Sequence, residues 1–336
     1  MNRTIKLKLK NLLIVYSLMV IILFNILSIS NLFPTLQSYG STEQNSSNPF
    51  TATSFKLKAS ILDNMPSHNV TVGDISIAYK QLGNAEGKPI ILITGASSTM
   101  DMWNPLLLEA LILANYKVII FENRGVGEST TGTKEFSINQ FAIDTVSLLD
   151  ALGINKTDVL GWSMGGFIAQ QLAVTNPDRV DNLILYTTSC GGSKDRPTPP
   201  EIIEIDKNTS MSQSEKMQKL APLFFAPASW FEAHPDYLQY FPVPKEYPIP
   251  QQIHLKQLDA STTWVGICNA LSNITQPTLV IVGMNDDPAP DSLTLAEKIP
   301  GSWLIRIGDA GHGLMYQHPN EFNRVVMTFL ENNKEQ

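Results

Sequence analysis

Three kinds of residue in this 336-residue chain are placed for nucleophilic catalysis. Ser163 lies in Gly161-Trp162-Ser163-Met164-Gly165, a Gly-x-Ser-x-Gly run. A neutral hydroxyl is a weak nucleophile until a base takes its proton and an acid orients that base. The histidines are His68, His234, His254, His312 and His318. Only His312 sits in a glycine-flanked loop, Gly311-His312-Gly313, straight after a predicted strand, and it is the candidate base. His318 opens a predicted helix and reads as structural. His68 falls in the leading strand region, and His234 and His254 fall in a proline-rich stretch. For the acid, Val282-Gly283-Met284-Asn285-Asp286-Asp287 puts two carboxylates just past a strand end, where catalytic groups of open α/β sheets gather. Asp286 and Asp287 cannot both hold His312, and the other reads as a solvated loop carboxylate or a helix cap.

These side chains need a scaffold to meet. Thr157–Leu160 reads as a short buried strand ahead of Ser163, and Gly166–Ala173 as an amphipathic helix behind it. A serine on that turn is forced into a strained conformation that lifts its hydroxyl above the sheet edge. A side chain at Gly161 or Gly165 would clash in so tight a turn. Val70–Val72 and Ile75–Gln81 alternate around Gly73-Asp74 and predict a hairpin. The apolar runs Pro89–Thr94, Lys117–Phe121, Leu183–Thr187, Thr278–Val282 and Trp303–Ile307 predict further strands. Helices are expected over Pro105–Tyr116, from an Ser137 N-cap to about Leu152, and over residues 319–332. Strands alternating with helices imply an α/β fold with a mostly parallel sheet covered on both faces.

Residues 193–275 break this rhythm with many prolines and with Trp230, Phe231, Tyr237, Tyr240, Phe241, Tyr247 and Trp264. They read as a lid of short helices and irregular segments inserted between two strands of a core formed by 68–192 and 276–336. Most of these aromatics are expected to pack the lid onto the body, and some to line an apolar pocket.

The chain resembles the α/β-hydrolase-fold serine hydrolases with a lid, over roughly residues 68–333. Gly161–Gly166 resembles their nucleophile elbow, and the order Ser, Asp, His along the chain is theirs. Glu122-Asn123-Arg124-Gly125-Val126-Gly127-Glu128-Ser129 resembles their Asp-x-Arg-Gly-x-Gly-x-Ser loop, with Glu122 in place of the usual aspartate. Pro277–Asp286 resembles their acid-bearing strand, and the spacing of Gly283, Asp286 and Pro290 favours Asp286 over Asp287. Gly311-His312 resembles their histidine loop. Thr94-Gly95 stands where His-Gly is frequent. The oxyanion hole uses backbone N–H groups, so that change leaves it intact. The resemblance implies Ala96 and Met164 as the two oxyanion donors. It implies an acyl-enzyme on Ser163 that water hydrolyses, a small-molecule acyl substrate, and no cofactor or metal. A serine nucleophile argues against relatives that use aspartate. Ester cleavage leads, with lactone hydrolysis, carbon–carbon bond hydrolysis and cofactor-free perhydrolysis on the same scaffold. A ligand receptor with negligible turnover and an exported structural protein are the readings from other classes.

Composition bounds the rest. Hydrophobic residues make up 43% of the chain, enough for a sizeable core, and the net charge is −7 with no basic cluster beyond the N-terminus. Nucleic acid is therefore excluded as a partner. Two cysteines, with no Cys/His cluster at metal spacing, exclude a zinc site. Arg3, Lys6, Lys8 and Lys10 precede an apolar stretch from Leu12 to Ile29. Residues 1–33 thus read as a cleaved signal peptide or an uncleaved membrane anchor, and 34–67 as a flexible linker. Ser28-Ile29-Ser30 and Ser38-Tyr39-Gly40 are the candidate cleavage sites. The folded part is then exported, facing outside the cytoplasm or secreted. Asn45, Asn69, Asn155, Asn208 and Asn273 open sequons that matter only where the host glycosylates exported proteins. Cys190 follows the strand leading into the insertion and Cys268 precedes the strand leading out. They are either a disulfide across its base or two buried free thiols.

Overall fold

The computed structural model describes residues 65–192, 199–208, 210–211, 213–235, 249–286 and 289–334. The expected anchor or signal segment, the linker up to residue 64, Asp287, and the aromatics Tyr237, Tyr240, Phe241 and Tyr247 lie outside them. No helix among the described residues is long and apolar enough to cross a membrane.

The strands are β1 (His68–Val72), β2 (Ile75–Gly83), β3 (Lys88–Ile93), β4 (Tyr116–Phe121), β5 (Thr157–Trp162), β6 (Val180–Tyr186), β7 (Thr278–Gly283) and β8 (Trp303–Ile307). They form one sheet in the order β1-β2-β4-β3-β5-β6-β7-β8. β1 and β2 run antiparallel, as does β2 against β4. Every pairing from β4 to β8 is parallel. The interior parallel strands are largely buried apolar runs because both faces are covered, whereas the edge strand β8, expected as an apolar run, carries Arg306 and is mostly exposed.

Alternation of side chains sorts those runs into two cores. Ile91, Ile93, Val159, Leu183, Leu185 and Val280 point to one face. There they meet α2 (Ile138–Ala151), α3 (Met164–Thr175) and α8 (Ala289–Lys298). Ile90, Leu92, Leu160, Ile184, Leu279 and Ile281 point to the other. There they meet α1 (Pro105–Leu113) and α10 (Pro319–Asn332). Ser137 caps α2 as expected, its hydroxyl accepting from the Gln140 N–H at 3.1 Å.

Two expectations need correction. The helix predicted over Pro105–Tyr116 stops at Leu113, because Asn115 turns left-handed at φ 68° and Tyr116 already starts β4. The helix after Ser163 starts at Met164 and buries more than one stripe, including Gly166, Gln170 and Ala173. It is wedged between the sheet and α2, so it is not amphipathic.

Between β6 and β7 the described residues hold α4 (Pro200–Lys207), α5 (Gln213–Leu220), a π-helical turn at Ala221–Phe225, α6 (Ala228–Ala233) and α7 (Gln251–Thr262). Cys190 and Cys268 form a disulfide with their Cα atoms 5.0 Å apart, at the point where the chain leaves β6 and returns to β7. β6 and β7 are neighbours in the sheet, which is what brings the two sulfurs together.

Candidate active site

Ser163 stands at the junction of β5 and α3 with φ 57° and ψ −119°. Such a conformation costs a non-glycine residue about 1–3 kcal/mol and persists only where surrounding contacts over-determine it. Here the Ser163 N–H donates to the Tyr186 carbonyl at 3.0 Å. The Ser163 carbonyl accepts from the Gly166 N–H at 2.8 Å and from the Thr188 hydroxyl at 2.9 Å. A Cβ on Gly161 would overlap the Gly165 carbonyl within the turn, as expected. A Cβ on Gly165 would instead overlap the Ile93 carbonyl of β3, so that glycine answers to the neighbouring strand.

The loop leaving β3 runs over the serine. A Cβ added to Gly95 would lie 3.1 Å from the Ser163 Cβ. Ala96 follows Gly95 in this loop, and Met164 is the first residue of α3, whose N–H has no acceptor within the helix. The two expected oxyanion donors thus belong to two different elements, the loop after β3 and the start of α3.

Asp286 follows β7, and His312 lies in the loop between β8 and α9 (Leu314–Gln317). Both side chains are buried. The His312 Nδ1 is 3.0 Å and 3.2 Å from the two Asp286 carboxylate oxygens. With Nδ1–H donating to the carboxylate, the Nε2 lone pair is the basic one. The His312 ring lies against Trp162, the residue before Ser163, with centroids 6.0 Å apart.

Several supporting contacts escaped sequence reading. The Tyr186 hydroxyl donates to the His312 carbonyl at 2.9 Å and accepts from the Met315 N–H at 3.0 Å. Burial holds that hydroxyl well above its usual range, so it stays protonated. Arg124 is buried between Asp144 at 2.8 Å and Asp74 at 3.0 Å. It ties the loop after β4 to α2 and to the β1–β2 turn. Its hydrogen bond holds the Asp74 carboxyl far below the usual carboxylate range. Glu122 is buried with its Oε2 accepting from the Met100 N–H at 3.1 Å, and burial pushes its carboxyl up to about 8.

The other histidines separate. His68 lies against Tyr79, His234 stacks on Trp230, and His318 precedes α10. His254, on α7, reaches the loop after β3 with its Nδ1 2.6 Å from the Ser97 hydroxyl. Among the described residues no group of three or more His, Cys, Asp or Glu is placed to hold a metal ion.

Residues 88–319 match the family model of the alpha/beta hydrolase fold. A 2-hydroxy-6-oxononadienedioate/2-hydroxy-6-oxononatrienedioate hydrolase of Pseudomonas sp is 26% identical over 282 residues, covering 78% of this chain and 95% of that protein. Among solved structures, an alpha/beta hydrolase fold protein from Chitinophaga pinensis superposes with a TM-score of 0.69 at 28% identity, covering 80% of this chain and 98% of its own. Est816, described as an N-acyl homoserine lactone degrading enzyme, superposes with a TM-score of 0.63 at 28% identity, covering 78% and 100%.

Proposed function

The chain belongs to the alpha/beta hydrolase fold family, and on that premise we propose that it is a serine hydrolase cleaving a carboxylic ester or a related acyl bond. One observation carries the reading: the buried Asp286 carboxylate grips the Nδ1 of His312, whose ring lies against Trp162, the residue before the strained Ser163. In the reaction, the Ser163 hydroxyl attacks the substrate carbonyl carbon while His312 Nε2 takes its proton. Asp286 holds the imidazole in the productive tautomer and stabilises the imidazolium. The backbone N–H groups of Ala96 and Met164 bind the oxyanion of the tetrahedral intermediate. His312 then gives its proton to the leaving group, leaving an acyl-Ser163 ester. Water, deprotonated by the same imidazole, cleaves that ester and restores the enzyme.

The residues between β6 and β7 serve in this reading as a lid over the substrate. Support comes from α7, which packs Ile253 against Gly125 and bonds to Ser97, both at the carboxyl ends of strands. The basic and then apolar N-terminus supports export, and the Cys190–Cys268 disulfide fits the oxidising compartment that export implies.

Hydrolysis of p-nitrophenyl acetate, butyrate and octanoate by the full chain, beside Ser163→Ala, tests the reading. Turnover that the variant abolishes is expected, and the chain-length preference sizes the pocket. Activity surviving in Ser163→Ala would refute the serine mechanism. A folded protein with no turnover on esters, lactones or β-diketones would favour a ligand receptor.

A further inference from the structure

The oxyanion loop is gripped from outside by α7. Ser97, next to the proposed donor Ala96, sits at φ 55°, in the left-handed region. A residue with a Cβ resists that region. Two side chains three residues apart on α7, and therefore on one helical face, hold it there. Gln257 Oε1 accepts from the Ser97 N–H at 2.7 Å, and His254 Nδ1 shares a 2.6 Å hydrogen bond with the Ser97 hydroxyl. Gln257 is fully buried; its Oε1 bonds to the loop, and its Nε2 has no hydrogen-bond partner among the described residues. Inside the loop, the Thr94 hydroxyl donates to the Ser98 carbonyl and the Ser98 hydroxyl to the Ala96 carbonyl. The helix making the clamp is itself docked at both ends. Ile253 packs on Gly125. Trp264, just past the helix, lies 4.8 Å from Phe167 of α3 and donates to Gln171 at 3.3 Å.

We propose that Gln257 and His254 are positioning residues that set the oxyanion loop, so that α7 is part of the catalytic frame and not only a cover. The inference rests on the serine-hydrolase reading. Loop position matters for catalysis because donors stabilise the oxyanion only where they meet it, and a displaced loop loses transition-state stabilisation while leaving ground-state binding in place.

The test is steady-state kinetics of the full chain on p-nitrophenyl butyrate for Gln257→Leu, His254→Leu, His254→Asn and Lys256→Ala. Asparagine places an amide where the histidine Nδ1 sits, so His254→Asn can remake the bond to Ser97. Lys256 lies over the Phe136 ring, 5.1 Å from its centroid, on the same helix, and its loss disturbs α7 without touching the clamp. Gln257→Leu and His254→Leu are expected to lower kcat about tenfold, short of the ~10²–10³ for losing a donor outright. KM is expected to stay within about twofold. His254→Asn should recover most of the loss, and Lys256→Ala should keep kcat. If Gln257→Leu does not fold, the His254 pair alone decides. Wild-type kcat in His254→Leu, no recovery in His254→Asn, or an equal loss in Lys256→Ala would overturn the inference while leaving the hydrolase reading standing. A wild-type enzyme that is inert, or active without Ser163, would overturn that reading and this inference with it.

Discussion

Reducing the Cys190–Cys268 bridge removes a link that closes a span of 78 residues. In the chain-entropy account a loop of that length restricts the unfolded ensemble by about 4.5 kcal/mol at 25 °C. Residual structure in the denatured chain already restricts it in part, so the expected loss of stability is about 2–4 kcal/mol. At about 2–4 °C per kcal/mol, this lowers Tm by about 5–15 °C. Urea denaturation of the oxidised and reduced full chain, followed by circular dichroism, measures it. The reduced wild type is the cleaner perturbation. Cys190 is buried, and a C190A/C268A variant adds a cavity cost to the loss of the link. The reduced protein should also show a steeper denaturant dependence, because its unfolded chain exposes more surface. Intact mass after alkylation fixes the covalent state. Two alkylations of the denatured protein without reductant, or superimposable urea curves before and after reduction, would refute the reasoning.

Asp286→Asn should leave the fold intact and lower kcat by about 10⁴, since an amide facing Nδ1 favours the wrong histidine tautomer. Stopped-assay kinetics with a long time base would detect it, and an undiminished kcat would move the acid's role elsewhere. Glu122 titrates near 8 when folded, against 4.5 for an exposed glutamate, because burial disfavours its charge. Between those values the folded chain holds a proton that the unfolded chain lacks, so this group makes stability fall as pH rises. Glu122→Gln keeps an acceptor for Met100, and its stability advantage over wild type should grow from pH 5 to pH 8. Urea midpoints with identical pH slopes in the two proteins would sink this assignment.

Much of the site was legible because its signals are local. The Gly-x-Ser-x-Gly turn announces itself through the strand before it and the helix after it, and the φ of 57° at Ser163 is the strain that pattern predicts. His312 stood out by its glycine-flanked loop, and Asp286 by its place past β7. Helix boundaries were less legible where one residue redirects the chain, as Asn115 does. His254 was set aside as part of the insertion, since nothing within a few residues of it hints at a partner 157 positions away. Asp74 and Asp144 were likewise not readable as partners of Arg124, and Tyr186 looked like any strand residue.

By itself the sequence determined the alternation of buried runs and helices, hence the parallel sheet, and the order of the candidate nucleophile, acid and base along the chain. Those follow from periodicity and turn chemistry, which act over a few residues. Tertiary structure alone decided which distant groups meet. It joined Cys190 to Cys268 where the sequence left a bridge and two free thiols both open, because β6 and β7 are neighbours in the sheet. It also set α7 against the loop after β3, because Ile253 and Trp264 bury their apolar surface on the core and carry His254 and Gln257 with them.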